Sequence, residues 1–157
     1  MPNIWLLLML FATGIHAQAD PVLKKVIDGD TVIILDQGRT YRLRLLDIDA
    51  PESQQTYGKQ SKRHLMALCN GNITVQSTGT DPYGRTLGHL YCNHTDASQY
   101  QVAQGMAWFN RRYSSRTELA SLQQQAQQQA LGLWQQANPI PPWVWRKHFG
   151  QYYQSPE

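Results

Sequence analysis

Short runs of alternating apolar and polar residues, separated by turn residues, fill the first two thirds of the chain. Val22 to Ile27 reads as one strand, Thr31 to Leu35 as a second and Thr40 to Leu46 as a third. Asp28-Gly29-Asp30 and Asp36-Gln-Gly38 are the turns between them. Pro51 ends the third run, and Glu52 to Gly58 forms a loop. The period then changes: Leu65, Leu68 and Cys69, at i, i+3 and i+4, predict a helix from Lys59 to Cys69, closed by Asn70-Gly71. Asn72 to Ser77 is a fourth strand. Thr86 to Cys92 is a fifth, with Leu87, His89 and Tyr91 on one face and Gly88, Leu90 and Cys92 on the other.

Beyond the fifth strand the pattern is helical. Ser98 is placed to cap a short helix through Val102 and Gln104, with Gly105 as its breaker. Ser115-Arg-Thr-Glu118 reads as a capping box for a third helix, whose narrow apolar stripe of Leu119, Leu122, Ala126 and Ala130 runs to Gly132. The Gln run on its outer face keeps the helical period and reads as a solvated surface. The prolines of Asn138-Pro-Ile-Pro-Pro-Trp-Val-Trp-Arg146 cannot continue that helix, which predicts an extended tail with Trp143 and Trp145 packed back on the domain. Five short strands with a helix after the third follow the order of an OB-type barrel, an α+β fold that is mainly β.

The first nineteen residues carry no Asp, Glu, Lys or Arg. Their apolar run from Ile4 to Phe11 is too short to span a bilayer, and it leads to Ala17-Gln-Ala19. This reads as a secretory signal peptide over residues 1–19, cleaved after Ala19. A domain over residues 20–136 and a Pro/Trp-rich tail over 137–157 follow, with no internal repeat. The formal charge of +3 and a pI near 9.0 suit a polyanionic partner without requiring one. Cys69 and Cys92 invite a disulfide in an exported chain, and would be two buried thiols in a cytosolic one.

Chemistry concentrates between Ile27 and Glu52. Two antiparallel strands would bring Asp30 near Asp49 and Glu52, with Arg44 able to face the same pocket. Carboxylates beside a guanidinium suit a hard cation and a phosphate. Taken singly, Asp28, Asp36 and Asp47 are ordinary turn or surface residues. The order of the motifs says more: I-D-G-D-T-V, then Arg44 five residues before I-D-A-P-E, then D-P-Y-G-R from Asp81 to Arg85. In that order the chain resembles the staphylococcal nuclease-like (thermonuclease) family, from about Val22 to Trp134.

The resemblance implies an OB-type five-stranded barrel with three helices, and calcium-dependent hydrolysis of DNA and RNA leaving 3′-phosphates. It makes Asp30 and Asp49 the carboxylate ligands of Ca2+, with the backbone carbonyl of Ala50 as a third; the family's archetype has Thr where this chain has Ala50. Glu52 becomes the residue that orients or deprotonates the attacking water. Arg44 and Arg85 become phosphate clamps, a task the planar guanidinium fork suits. Tyr83, Tyr113 and Trp108 are candidates to stack on a base, with Trp108 also readable as core, and Arg111 and Arg112 could add phosphate contacts.

The expected protein is a monomer, secreted or periplasmic, with nucleic acid as its substrate, no stable protein partner and no membrane association after cleavage. Two other readings compete. One is a nuclease-like domain that only binds nucleic acid or a protein; the other is a phosphatase of small phosphate esters. Zinc at His89, Cys92 and His94 is disfavoured, because alternation puts His89 and Cys92 on opposite faces of one strand.

Overall fold

A computed structural model of the protein describes residues 20–150. The expected signal peptide, 1–19, and the last residues of the tail, 151–157, lie outside the described residues. Strands β1 (Val22–Val26), β2 (Thr31–Asp36) and β3 (Arg39–Leu45) form an antiparallel meander. After the two-residue β4 (Ile48–Asp49) and helix α1 (Gly58–Leu68) come β5 (Ile73–Thr80) and β6 (Thr86–Cys92), which pair antiparallel across a bulge between Ser77 and Gly79. The first residues of β6 pair with the end of β3 in parallel, Leu43 with Thr86 and Leu45 with Gly88. The sheet therefore runs β1-β2-β3-β6-β5. Counting only the five longer strands, that is first, second, third, fifth, fourth, the OB order. A ladder between β1 and β5 is not among the pairings of the described residues.

Alternation does what the pattern predicts: Val32, Ile34, Leu43, Leu45 and Leu90 are buried from the sheet, and Leu65, Val102 and Leu119 close on them from the helices. A disulfide between Cys69 and Cys92 ties the end of α1 to the end of β6. The short β7 (Thr95–Asp96) pairs with β6 and leads into α2 (Ala97–Ala103), and β8 (Trp108–Phe109) pairs antiparallel with β4.

Three expectations about helices are corrected. The cap of α2 is Asp96, whose side chain accepts from Gln99 N at 3.0 Å, while Ser98 Oγ donates to Leu46 O. Helix α3 (Thr117–Gln128) has Arg116 at its N-cap and no side-chain capping bond, because Glu118 is taken by the Arg116 guanidinium at 2.7 Å. The tail is a fourth helix, α4 (Pro142–Phe149), where an extended segment was expected. Pro142 sits in its first turn, where a missing N–H costs nothing and the fixed φ is already helical, so the prolines start a helix here. Trp143 packs edge-on against Trp108 with ring centroids 5.6 Å apart, and Trp145 lies against Phe149 at 4.3 Å.

Candidate active site

The turn between β1 and β2 presents Asp30. Its backbone N–H donates to Asp28 Oδ1 at 3.0 Å, and Leu45 N–H donates to Asp30 O at 2.8 Å, which fixes the turn to β3. Beneath the turn lies Gln101, fully buried on α2, which sequence reasoning passed over. Its Nε2 donates to Gly29 O at 2.8 Å and to Ser61 O and Oγ at 3.1 Å, holding the turn to α1. Glycine is required at position 29, since a Cβ there would lie 1.8 Å from Ser61 Oγ and 2.7 Å from Ala50 Cβ. The Asp30 carboxylate accepts from Ala50 N–H at 2.7 Å and from Thr31 Oγ1 at 2.9 Å.

Asp49 comes from β4, whose register sets it opposite Trp108 of β8. Asp30 and Asp49 are 5% and 2% exposed, and they meet on one nitrogen: Arg44 Nη2 lies 3.1 Å from Asp30 Oδ2 and 3.2 Å from Asp49 Oδ1. The other arm of Arg44 donates to the carbonyls of Leu45 and Ile48. Glu52 is set by its loop. Its N–H donates to Gln55 Oε1, its carbonyl accepts from Gln55 N, and Gly58 passes so close that a Cβ would stand 1.9 Å from that carbonyl.

A second guanidinium, which sequence reasoning missed, completes the cluster. Arg146 on α4 reaches Asp49 Oδ2 at 2.7 Å, Asp49 Oδ1 at 3.1 Å and Glu52 Oε1 at 2.7 Å. Hydrogen bonds that it donates to Asp49, against the cost of burial, and then to Glu52 hold its protonated form more firmly than usual. Ninety-seven residues separate Arg146 from Asp49, and no local pattern links them.

Arg85 stands apart from this cluster. It forms a salt bridge with Asp81 at 2.7 Å inside the D-P-Y-G-R turn. Slight burial works to raise the Asp81 pKa, but the Arg85 backbone and side-chain hydrogen bonds outweigh it and hold Asp81 below its ordinary value. Tyr83 and Tyr113 are 85% and 72% exposed, each with an arginine over its ring, Arg85 at 5.8 Å and Arg112 at 5.5 Å. Trp108 is half-buried, wedged between Trp134 and Trp143. Asp47, read from sequence as a surface or turn residue, bonds Arg116 at 3.2 Å and lies 3.5 Å from His89 Nδ1. Burial first, then repulsion from Asp30, push the Asp28 carboxyl up to about 7.

Two buried carboxylates converging on one cationic nitrogen form an all-oxygen donor pair that fits a hard cation. Among the described residues no three His, Cys, Asp or Glu side chains converge on one point, so a cation held here would need backbone carbonyl or water for the rest of its shell. Residues 42–136 match the profile of the family described as staphylococcal nuclease homologue. The chain belongs to that family. It is 41% identical over 124 residues to a protein named uncharacterized endonuclease from Escherichia coli O157:H7, covering 78% of this chain and 81% of that one. It is 36% identical over 135 residues to the micrococcal nuclease of Shigella flexneri, covering 78% of each. With the staphylococcal-like nuclease CAN1 of Arabidopsis thaliana it shares 34% over 139 residues, 85% of this chain and 43% of that one. Catalysis in the family uses a metal.

Proposed function

We propose that this chain is an exported, monomeric endonuclease that hydrolyses phosphodiester bonds of DNA and RNA with calcium, leaving 3′-phosphates. Membership of a nuclease family makes it an enzyme acting on nucleic acid. The observation that carries the finer reading is the convergence of Asp30 and Asp49 on Arg44 Nη2, with Glu52 joined to the same cluster through Arg146. Asp30, Asp49 and the carbonyl of Ala50 would hold the ion, which when bound offsets phosphate charge and brings water to the scissile bond.

The side chains divide the remaining work. Glu52 is partly exposed, with Gln55 and Gly58 fixing its loop, so it can hold a water and take its proton in line with the phosphorus. Arg44 lies against both ligand carboxylates and meets charge that develops on the phosphoryl oxygens. Arg85, one-third exposed, holds a phosphate from the adjoining turn once it trades Asp81 for substrate. Tyr83 and Tyr113 offer bases the ring face opposite Arg85 and Arg112. Because water is the nucleophile, no ribose hydroxyl is needed and both polymers are substrates.

The test is a gel of DNA and RNA incubated with the protein plus calcium, magnesium or chelator, followed by end-group analysis. Calcium supports cleavage, magnesium does so poorly because it insists on strict octahedral geometry, and chelator abolishes it. Undiminished cleavage in chelator, or products ending in 5′-phosphate, overturns the reading.

A further inference from the structure

Arg146 occupies the oxygens that a metal needs. Both oxygens of Asp49 accept from its guanidinium, at 2.7 and 3.1 Å, and Oδ1 accepts from Arg44 as well. The same guanidinium takes Glu52 Oε1 at 2.7 Å, the carboxylate assigned to hold water. We propose that Arg146 is a built-in competitor of the metal, a latch that neutralises Asp49 and Glu52 in the metal-free protein and is displaced when calcium binds. The proposal rests on the reading of Asp30 and Asp49 as metal ligands.

The fold delivers the guanidinium to this place deliberately. Helix α4 starts at Pro142, so its first turn is ordered without a capping side chain. Trp143 packs on Trp108, the residue paired with Asp49 in the β4–β8 ladder, and Gln55, which fixes the Glu52 loop, donates to Ile140 O just before the helix. The helix is thus anchored to the two segments whose carboxylates its arginine covers.

The two arginines of the cluster are built for different residence. The Arg44 side chain is 15% exposed and is also bonded to the Leu45 and Ile48 carbonyls, so it stays. The Arg146 side chain is 46% exposed, and all of its hydrogen bonds in the cluster go to Asp49 and Glu52. It leaves by turning its own flexible stem into water, with α4 still held by Trp143 and Ile140. A divalent ion on the carboxylates then replaces one positive charge by two. Apparent metal affinity is reduced by the fraction of molecules that are latched, so the latch sets the calcium concentration at which the enzyme turns on.

Calorimetric titration of calcium into the full chain, free of nucleic acid, tests this with Arg146→Gln, Arg146→Lys, Lys147→Gln and Asp49→Asn beside the wild type. Arg146→Gln is expected to bind calcium about tenfold or more tightly than wild type. Arg146→Lys, which keeps the charge and loses the fork, is expected to tighten binding as well, while Lys147→Gln, a charge lost from the same helix away from the carboxylates, leaves it unchanged. A second readout is thermal. Arg146→Gln lowers Tm in chelator, and the gap closes in excess calcium, since the wild-type arginine is then displaced too. Wild type that binds calcium through Asp49 no more weakly than Arg146→Gln, or a Tm gap that calcium does not change, overturns the latch and leaves the metal site standing. If wild type and Arg146→Gln both fail to bind calcium, or Asp49→Asn binds it unimpaired, the metal reading falls and the latch with it.

Discussion

Asp47 and Asp49 stand two residues apart and belong to separate charge systems. Asp47, with a φ of 71°, bonds Arg116 and approaches His89, while Asp49 is held by Arg44 and Arg146. Arg116 also bonds Asp96, the cap of α2, and Glu118 of α3, so Asp47 belongs to a network that joins the helices to the sheet. Asp47→Asn should therefore lower Tm and leave turnover per folded molecule near wild type. Glu52→Gln should do the reverse, slowing turnover by roughly 10² to 10⁴ with nucleic acid still bound and, in excess calcium where Arg146 is displaced, with Tm unchanged. Kinetics and melts on the same preparations decide it, and a Glu52→Gln enzyme near wild-type rate removes Glu52 from the mechanism.

The two proposed clamps should fail differently. Arg44→Lys loses the fork that spans Asp30, Asp49 and two backbone carbonyls, so it should lower both Tm and kcat. Arg85→Lys changes a turn at the rim and should lower kcat more than it raises KM, with Tm little altered. A rise in KM alone would mark Arg85 as a contact of bound substrate rather than of the transition state.

Gly29→Ala should cripple the proposed metal site. Its Cβ would collide with Ser61 Oγ and Ala50 Cβ, so the turn must lift away from Gln101 and carry Asp30 with it. Calcium affinity should fall by an order of magnitude or more, while circular dichroism of the sheet is unchanged. Retention of full affinity would show that the turn yields without moving Asp30.

The contribution of Asp28 to the stability of the metal-free protein should fall as pH rises from 3.8 through about 7, because folded Asp28 holds its proton more tightly than unfolded Asp28 does. Asp28→Asn keeps an oxygen for Asp30 N–H and carries no charge. Its stability relative to wild type should grow across that window and level off above it. Urea melts in chelator at several pH values measure the difference; a constant difference would show that Asp28 is not displaced upward.

Reduction of the Cys69–Cys92 disulfide should cost about 3 kcal/mol, the loop-closure entropy of some two dozen residues. Urea melts with and without reductant, and with a Cys69→Ala, Cys92→Ala double variant, give the figure. Calcium affinity should change little, since the bond sits at the far ends of α1 and β6. Melts that coincide with and without reductant would show the bond absent or without effect on stability.

Strands and turns were legible because alternation and Gly-bearing turns act over a few residues: β2, β3 and β6 lie within a residue of where the pattern set them. The approach of Asp30 and Arg44 was legible for the same reason, since a tight meander brings Thr31 opposite Arg44. Residues joined across long separations were not. Arg116 pairs with Asp47 over 69 residues and Arg146 with Asp49 over 97, and neither pair leaves a periodic mark. Pro141 and Pro142 misled for a local reason, as the residue that breaks a helix from within is also the one that begins it.

The pairing of β4 with β8 has a consequence for how the protein is made. A ribosome releases the chain from its amino end, so Asp30, Arg44 and Asp49 emerge well before Trp108, the strand partner that orients Asp49. A chain that has not yet reached Trp108 therefore lacks the strand partner of Asp49. When Trp108 arrives and the site takes shape, Arg146 has still to be added.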